Sequence, residues 1–285
     1  MIVSIASGKG GTGKTTIATN LAISLERDVQ LMDCDVEEPN AHLFIYPEIE
    51  KSLAVSVLVP KVDLKKCNFC KKCMDICQFN AITVVKSNVL TFPLLCHSCD
   101  GCRIVCPEQA IDMTEREIGM IDMGRKDHMV FLNGRLNIGE AMAPPLIRSV
   151  KTHIRKDMPV IIDAPPGTSC PVIAAMKDTD FVLLVTEPTP FGLHDLKLAV
   201  SAIKILDIPC GLVINRSDIG DDKVRAFADQ EGVPILMEIP FDRRIAESYA
   251  IGEPFVNRMP EWKSKFVQLY KDIETKVNGR EKKGA

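Results

Sequence analysis

The sequence has no long apolar run, no large excess of charge and no basic segment at its start. No uninterrupted apolar stretch approaches the roughly 20 residues that a membrane-spanning helix needs, which disfavours stable membrane insertion. The net charge of −3 gives the chain no general attraction for nucleic acid or anionic membrane surfaces. Met1 leads directly into apolar Ile2 and Val3, without the basic region of a secretory signal. We therefore expect a cytoplasmic protein.

What the sequence does contain is an alternation of apolar runs and helix-length segments. The 285 residues are 46% hydrophobic and 26% charged, which is ordinary for a globular protein with one sizeable core. We interpret six apolar runs as buried strands: residues 2–6, 29–32, 160–162, 181–185, 211–214 and 235–239. Their alternation with helical segments predicts an α/β fold whose mostly parallel sheet is covered by helices on both faces.

The last segment of the chain has apolar residues at helical spacing from Trp262 to Val277. This pattern predicts an amphipathic helix, followed by the basic residues Arg280, Lys282 and Lys283. We expect the helix to dock against the sheet, and a reversible membrane-surface anchor is the alternative.

Eight of the eleven cysteines form two runs with identical spacing. The runs are Cys67-x2-Cys70-x2-Cys73-x3-Cys77 and Cys96-x2-Cys99-x2-Cys102-x3-Cys106. Each run resembles that of bacterial two-cluster ferredoxins, in which the fourth cysteine ligates the other cluster. The resemblance implies two 4Fe-4S clusters, one held by Cys67, Cys70, Cys73 and Cys106 and the other by Cys96, Cys99, Cys102 and Cys77. Because neither run completes a cluster alone, we expect the two sites to be lost together.

The two halves of this segment also repeat each other beyond the cysteines. Cys77-Gln-Phe-Asn-Ala-Ile parallels Cys106-Pro-Glu-Gln-Ala-Ile. We therefore predict a small α+β ferredoxin-like insert at residues 61–116, here called the cysteine module. It would interrupt a discontinuous main domain of residues 1–60 and 117–285.

Zinc sites and disulfides are the alternatives to clusters in the cysteine module. Paired CxxC elements also bind zinc, and eleven cysteines could in principle form a disulfide framework. Gln78 stands where a ferredoxin run usually has proline.

Four lysines lie close to the first cysteine run: Lys65, Lys66, Lys71 and Lys72. They form either a docking surface for an acidic redox or client partner or simply a solvated face.

A glycine-rich loop follows the first predicted strand. The segment Gly8-Lys9-Gly10-Gly11-Thr12-Gly13-Lys14-Thr15 fits the phosphate-loop pattern, and a helical pattern over residues 14–25 follows it. In such loops backbone amides cradle the phosphates, Lys14 reaches the outer phosphates and the Thr15 hydroxyl ligates Mg²⁺; we place Thr16 in the same nucleotide site. The glycines alone also fit a dinucleotide fingerprint, but Lys14 and Thr15 have no role there. The loop therefore predicts ATP or ADP with Mg²⁺.

Further motifs follow in order along the chain. They are Asp33-Cys-Asp35, Val160-Ile-Ile-Asp163-Ala-Pro-Pro-Gly167 and Val213-Ile-Asn215-Arg. Together with the additional Lys9 in the phosphate loop, they resemble the MinD, ParA and Mrp class of ATPases, to which the nitrogenase iron protein is related. The resemblance covers nearly the whole chain outside the cysteine module.

This resemblance implies a role for each of five charged residues. Lys9 would reach across a homodimer interface in the ATP state and would stabilise the transferred phosphate together with Lys14. Asp35 would position or activate the attacking water, and Asp33 and Asp163 would hold Mg²⁺ through its bound waters. The alternatives are a solvent-exposed Lys9 and aspartates that only cap helices.

The same resemblance implies a site for the base and a class of function. Asn215 would contact adenine, beside the loop formed by Pro240, Phe241 and Asp242. The chain would be a Mg²⁺-dependent ATPase whose nucleotide state governs electron transfer to, or cluster delivery onto, an unidentified redox or iron–sulfur client protein. Exposed clusters point to a prokaryote that lives with little or no oxygen.

Two other functions stay open at this point. One is a spatial organiser like MinD and ParA, in which the clusters are structural or sense oxygen. The other is an electron relay that binds nucleotide without turnover. Three cysteines outside the runs, Cys34, Cys170 and Cys210, are expected to pack as small apolar residues. Cys170 is the exception to watch, because it closely follows the Asp163 motif and could sense the phosphate.

Overall fold

Strands and helices alternate along most of the structure, a computed structural model that describes residues 1–281. The strands are β1 (Ile2–Ser7), β2 (Val29–Asp33), β3 (Glu48–Val62), β4 (Ile82–Val85), β5 (Asn88–Thr91), β6 (Ile111–Lys126), β7 (Met129–Leu136), β8 (Val160–Pro166), β9 (Phe181–Thr186), β10 (Cys210–Asn215) and β11 (Ile235–Ile239). Lys282, Lys283 and the Arg280 side chain, which belong to the predicted basic tail, lie outside the described residues.

The helices of the described residues are α1 (Lys14–Ser24), α2 (His42–Ile45), α3 (Lys72–Ile76), α4 (Gly101–Ile104), α5 (Ala143–Lys151), α6 (Cys170–Met176), α7 (Pro190–Leu206), α8 (Lys223–Glu231), α9 (Arg243–Ala250), α10 (Phe255–Arg258) and α11 (Glu261–Glu281), and a 3-10 turn lies at Pro93–Leu95.

Nine strands of the described chain form one sheet in the order β11-β10-β9-β1-β8-β2-β7-β6-β3. Neighbours from β11 to β7 are parallel, whereas β6 and β3 add an antiparallel edge. Alternate side chains of β1 face opposite layers, since Val3 and Ile5 pack on one side and Ala6 on the other. The predicted α/β fold with a mostly parallel, doubly covered sheet is confirmed.

Each face of the sheet carries its own group of helices. Helices α1, α10 and α11 cover one face, and α5 to α8 cover the other. The C-terminal helix α11 docks as its apolar spacing predicted, with Phe266, Leu269 and Ile273 at most 1% exposed. Because each such side chain contributes about 1.5–3 kcal/mol on burial, this face alone anchors the helix.

The antiparallel edge of the sheet was not predicted from the sequence. Strands β3 and β6 pair along their whole length, but β7 pairs with β6 only as far as Gly119. Beyond that point residues 56–62 and 111–117 continue as a two-stranded arm, here called the ribbon, that leads to the cysteine module. The ladder shifts register at Ile118, the extra residue of a β-bulge where the ribbon leaves the sheet.

The two halves of the cysteine module follow the same backbone path, offset by the 29 residues that separate Cys67 from Cys96. Ile82 pairs with Thr91 in one half, and Ile111 pairs with Val62 in the other. Positive φ angles, which are uncommon outside glycine, recur at matched positions: Phe69, Lys71 and Asn80, then Ser98, Asp100 and Gln109. The repeat seen in the cysteine spacing therefore extends to the backbone.

Candidate functional site

The glycine-rich loop joins β1 to α1 at the carboxyl edge of the parallel strands, where such sheets bind ligands. Gly11 and Gly13 have φ angles of 77° and 96°, values that residues with a side chain rarely adopt. A Cβ on Gly8 would lie 2.4 Å from the Asp195 carbonyl oxygen of α7, so a larger residue there would displace that helix. The loop and the first turn of α1 contain every predicted phosphate-binding residue: Gly8, Lys9, Gly10, Gly11, Thr12, Gly13, Lys14, Thr15 and Thr16.

Two predicted magnesium residues meet on adjacent strands of the sheet. Asp33 at the end of β2 is the register partner of Asp163 in β8. The Asp33 carboxylate accepts backbone N–H bonds from Asp35 (3.1 Å), Asn40 (3.0 Å) and Ala41 (2.9 Å). It therefore shapes the loop that follows β2, a role close to the capping alternative considered above.

Asp163 has a different environment from its strand neighbour. It is fully buried, and neither carboxylate oxygen accepts a hydrogen bond of standard geometry within residues 1–281. Burial raises the pKa of Asp163, while the Thr15 hydroxyl and the Lys14 ammonium oppose that shift. A buried carboxylate that lacks partners beside a hydroxyl is the donor set that a hard cation would complete, so these residues fit Mg²⁺.

Asp35 lies at the same edge, close enough to Lys14 to interact with it. Burial raises the pKa of Asp35 to about 6; Lys14 lowers it, and the neighbouring carboxylates of Glu38 and Glu37 raise it further. Lys14 itself is only 6% exposed. The edge thus brings one buried ammonium group together with the carboxylates of Asp35 and Asp163.

Lys9 is held on its own chain by a residue that sequence reasoning missed. Its ammonium lies 3.4 Å from Glu187 at the end of β9, and Arg216 approaches the same carboxylate at 3.1 Å. The Glu187 side chain is 8% exposed, so its charge is largely removed from water. A carboxylate directly after the buried run of β9 was the available signal, because parallel strands present such residues at the ligand-binding edge.

Two of the four predicted adenine residues, Asn215 and Asp242, already form hydrogen bonds within the chain. The Asn215 side-chain amide donates to the Thr12 carbonyl (2.9 Å), which places Asn215 against the phosphate loop. Asp242 accepts the Arg244 backbone N–H (2.8 Å) as the N-cap of α9. Phe241 is half exposed beside it, and Pro240 follows the end of β11.

The eight cysteines of the two runs line two separate cavities in the cysteine module. One cavity is bordered by Cys67, Cys70, Cys73 and Cys106, the other by Cys77, Cys96, Cys99 and Cys102. Each therefore combines three thiols of one run with the fourth thiol of the other run. Within residues 1–281, however, no group of three or more His, Cys, Asp or Glu side chains is arranged so that it could hold a metal ion.

The surroundings of the thiols are compatible with a thiolate-bound metal. All eleven cysteines are free, so the disulfide interpretation finds no support. The Ala81 and Ala110 backbone amides donate to Cys77 and Cys106 at the same distance, 3.3 Å. Burial raises the pKa of Cys102 to about 11, so its thiolate needs a compensating cation. The donor set fits an iron–sulfur cluster and also fits zinc.

The three remaining cysteines differ from one another. Cys34 is fully buried and Cys210 is partly buried, as expected for packing residues. Cys170 is exposed at the first position of α6, so the expectation that it packs in the core was wrong. The helix begins at this residue, with Pro171 next to it, and Cys170 is not among the residues of the apolar layer on this face.

A hydrogen-bonded path connects the nucleotide edge with the root of the ribbon. The Val36 carbonyl, one residue after Asp35, accepts the Leu136 backbone N–H at the end of β7 (2.8 Å). The next amide, Asn137, donates to the carbonyl of the bulge residue Ile118 (2.9 Å). Only the folded sheet reveals this path, because its members are far apart in sequence.

A buried ion pair connects the ribbon to the loop that follows β7. Arg116 lies at the end of the ribbon and pairs with Glu140, whose side chain is 2% exposed. The Arg116 Nε and Nη2 atoms are buried without a hydrogen-bond partner among the described residues. Losing Glu140 would therefore leave an uncompensated guanidinium group, which is costly in such a place.

Comparison with known proteins agrees with this geometry. Residues 3–255 match the family described as the CobQ/CobB/MinD/ParA nucleotide binding domain. An uncharacterised protein of Methanocaldococcus jannaschii is 32% identical over 90% of this chain and 91% of its own length. An iron–sulfur cluster carrier protein of Aquifex aeolicus is 27% identical over 97% of this chain and 69% of its own length.

Solved structures share the fold. The cell division ATPase MinD of Pyrococcus furiosus superposes with a TM-score of 0.60 at 24% identity, covering 96% of this chain and 98% of its own. MinD of Pyrococcus horikoshii, solved with Mg-ADP, gives 0.58 at 22% identity and 95% coverage of both chains. Within residues 1–281, no helix combines the length and the apolar character needed to cross a bilayer.

Proposed function

Because this chain belongs to the CobQ/CobB/MinD/ParA nucleotide-binding family and is a P-loop ATPase, we propose that it couples its nucleotide state to iron–sulfur chemistry. The output would be electron transfer to a client protein or delivery of a cluster onto it. The relative named as an iron–sulfur cluster carrier supports this proposal, and so do the two four-thiol cavities.

The observation that carries the proposal is the path from the Asp35 segment to the ribbon. The Val36 carbonyl accepts a hydrogen bond from the Leu136 backbone N–H. The next residue, Asn137, donates its backbone N–H to Ile118, where the ribbon leaves the sheet. A shift of the Asp35 segment with bound nucleotide would therefore move the strand end from which the ribbon leaves. Such a shift requires that ATP bind the two arrangements with different affinity.

The roles at the nucleotide edge follow from charge and position. Thr15 and Asp163 would hold Mg²⁺, which neutralises phosphate charge when it is bound. Lys14 would bind the outer phosphates, and Asp35 would orient water for attack on the last one. Lys9 would exchange Glu187 for the nucleotide of a second subunit, so turnover would require a homodimer.

In the cysteine module, each four-thiol set would hold one 4Fe-4S cluster, which stores one electron when bound. The backbone amides of Ala81 and Ala110 would stabilise the thiolates that they contact. Among the described residues four cysteines border each cavity, so removing one thiol would leave that set incomplete.

The test uses full-length protein reconstituted without oxygen. We expect about eight irons per chain. We also expect the rate of reduction, or of iron transfer to a chelating acceptor, to change when ATP replaces ADP. Lys14→Ala should retain iron but lose the ATP effect. Equal rates with ATP, with ADP and without nucleotide would contradict the coupling.

The same material separates this proposal from a spatial organiser. A protein that acts on electrons or clusters should stay in the supernatant when it is sedimented with liposomes or DNA in the ATP state. ATP-dependent pelleting together with nucleotide-independent reduction would favour the organiser instead.

A further inference from the structure

The two halves of the cysteine module share a backbone but differ in the surface around their exposed thiols. Cys70 is the exposed cysteine that borders the first cavity, and Cys99 is the exposed one that borders the second. Four positions near Cys70 carry exposed lysines: Lys65, Lys66, Lys71 and Lys72. The positions 29 residues later carry Leu94, Leu95, Asp100 and Gly101.

The charge of the two surfaces differs accordingly. Residues 63–75 contain four lysines and two aspartates, a net charge of +2. The matching residues 92–104 contain one arginine and one aspartate, a net charge of zero, and these two form an ion pair with each other. The two halves therefore share a backbone path but carry different surface charge.

The lysine charges are largely uncompensated. Lys66 lies 4.0 Å from Asp63, with both side chains exposed, a contact that contributes little. Lys65, Lys71 and Lys72 have no ion-pair partner within residues 1–281. Glu108 borders the same cavity, but its carboxylate accepts a hydrogen bond from Asn68 (2.9 Å). The face around Cys70 therefore remains positive.

We infer that this lysine face, residues 63–75, is the docking surface for an acidic one-electron carrier protein, with Cys70 near its centre. The inference rests on the proposed function, because it presumes electron exchange at the cysteine module. In that exchange the carrier would lose one electron and the module would gain it.

Complementary charge suits such a partner, because it accelerates encounter without requiring a large or permanent interface. Redox encounters typically bury less than about 1,200 Å². The face around Cys99 offers Leu94 (58% exposed) and Leu95 (50%) instead and has no net charge to steer an acidic protein. Carrier docking is therefore assigned to one half of the module.

The experiment measures association of the full-length protein with an acidic plant-type ferredoxin as the probe. A variant with Lys65, Lys66, Lys71 and Lys72 all changed to Gln is compared with a matched Leu94→Gln/Leu95→Gln control. At about 20 mM salt the lysine variant should associate at least about tenfold more slowly than wild type. That difference should vanish near about 500 mM salt, where charges are screened within a few ångströms. The leucine control should follow wild type at both salt concentrations.

Several outcomes would overturn the docking surface. These are an unchanged rate in the lysine variant, an equal loss in the leucine control, or an equal lysine dependence with basic cytochrome c. Association is measured on metal-loaded and metal-free protein alike, together with iron content and reduction by a small photoreductant. Absence of iron would contradict the proposed function, whereas the effect of the lysines on association decides the docking surface.

Discussion

The nucleotide edge and the cysteine module are stabilised in different ways. The edge rests on a sheet with a large apolar layer on each face, and one of these layers contains the fully buried Phe131, Phe181 and Phe266. The separate core cluster of the module contains five buried residues, and two of them are Cys73 and Cys102. Apolar burial can therefore support the first region alone, whereas we expect the second to depend on the clusters proposed for its thiols. We therefore expect loss of bound ligand to destabilise the cysteine module more than the nucleotide edge.

The largest expected effect concerns the nucleotide edge alone. Lys14→Ala removes the buried ammonium group beside Asp35 and Asp163, so ATP turnover should fall at least about 100-fold. Phosphate release measures turnover, while iron content should equal that of wild type. Loss of iron in this variant would show that the two regions are not independent.

The next effect concerns the cysteine module alone. Cys70→Ser removes one thiol from the first cavity, so iron should fall to about half or less, and shared ligation favours loss of both clusters. ATP binding and thermal unfolding of the main domain should stay within error of wild type. Cys170→Ser is the control, since this exposed cysteine borders neither cavity. Global unfolding of Cys70→Ser would refute separate stabilisation.

A smaller effect is expected where the two regions meet. Glu140→Gln leaves Arg116 without its charge partner, a change that should weaken the attachment of the ribbon by about 1–3 kcal/mol. Hydrogen exchange should accelerate in residues 56–62 and 111–117, and the ATP effect on reduction should shrink. The exposed neighbour Glu117→Gln is the control. If hydrogen exchange in these segments and the ATP effect on reduction both stay unchanged, the coupling does not depend on this ion pair.

The smallest effect is expected at the ion pair that holds Lys9. The Lys9 side chain, which is 31% exposed, has to leave Glu187 before it can reach a second subunit, and we take the contribution of this partly exposed pair as about 1 kcal/mol or less. Glu187→Gln should therefore raise ATP-dependent dimerisation by up to about fivefold. Analytical ultracentrifugation measures this, with Glu231→Gln, which loses a surface pair with Lys204, as the control. Weaker dimerisation would mean that Glu187 supports the interface.

Prediction from sequence succeeded best for local units and for the parallel sheet. Short spacing patterns predicted the strands that end at Asp33 and Asn215, the phosphate loop and the docked C-terminal helix. It failed for β7, whose Asn133 and Gly134 interrupt the apolar run, and for the environment of Cys170. The roles assigned to Asp35, Asn215 and the cluster cysteines stay predictions.

The sequence by itself determined where the phosphate loop and the two thiol runs lie, because each is set by residues a few positions apart. Only the tertiary structure decided that Glu187 holds Lys9 and that Val36 connects to the ribbon. It also decided that Asp33 accepts three backbone hydrogen bonds, whereas Asp163 accepts none of standard geometry from residues 1–281. Those contacts depend on the order and register of strands that are distant in sequence, and no local pattern encodes them.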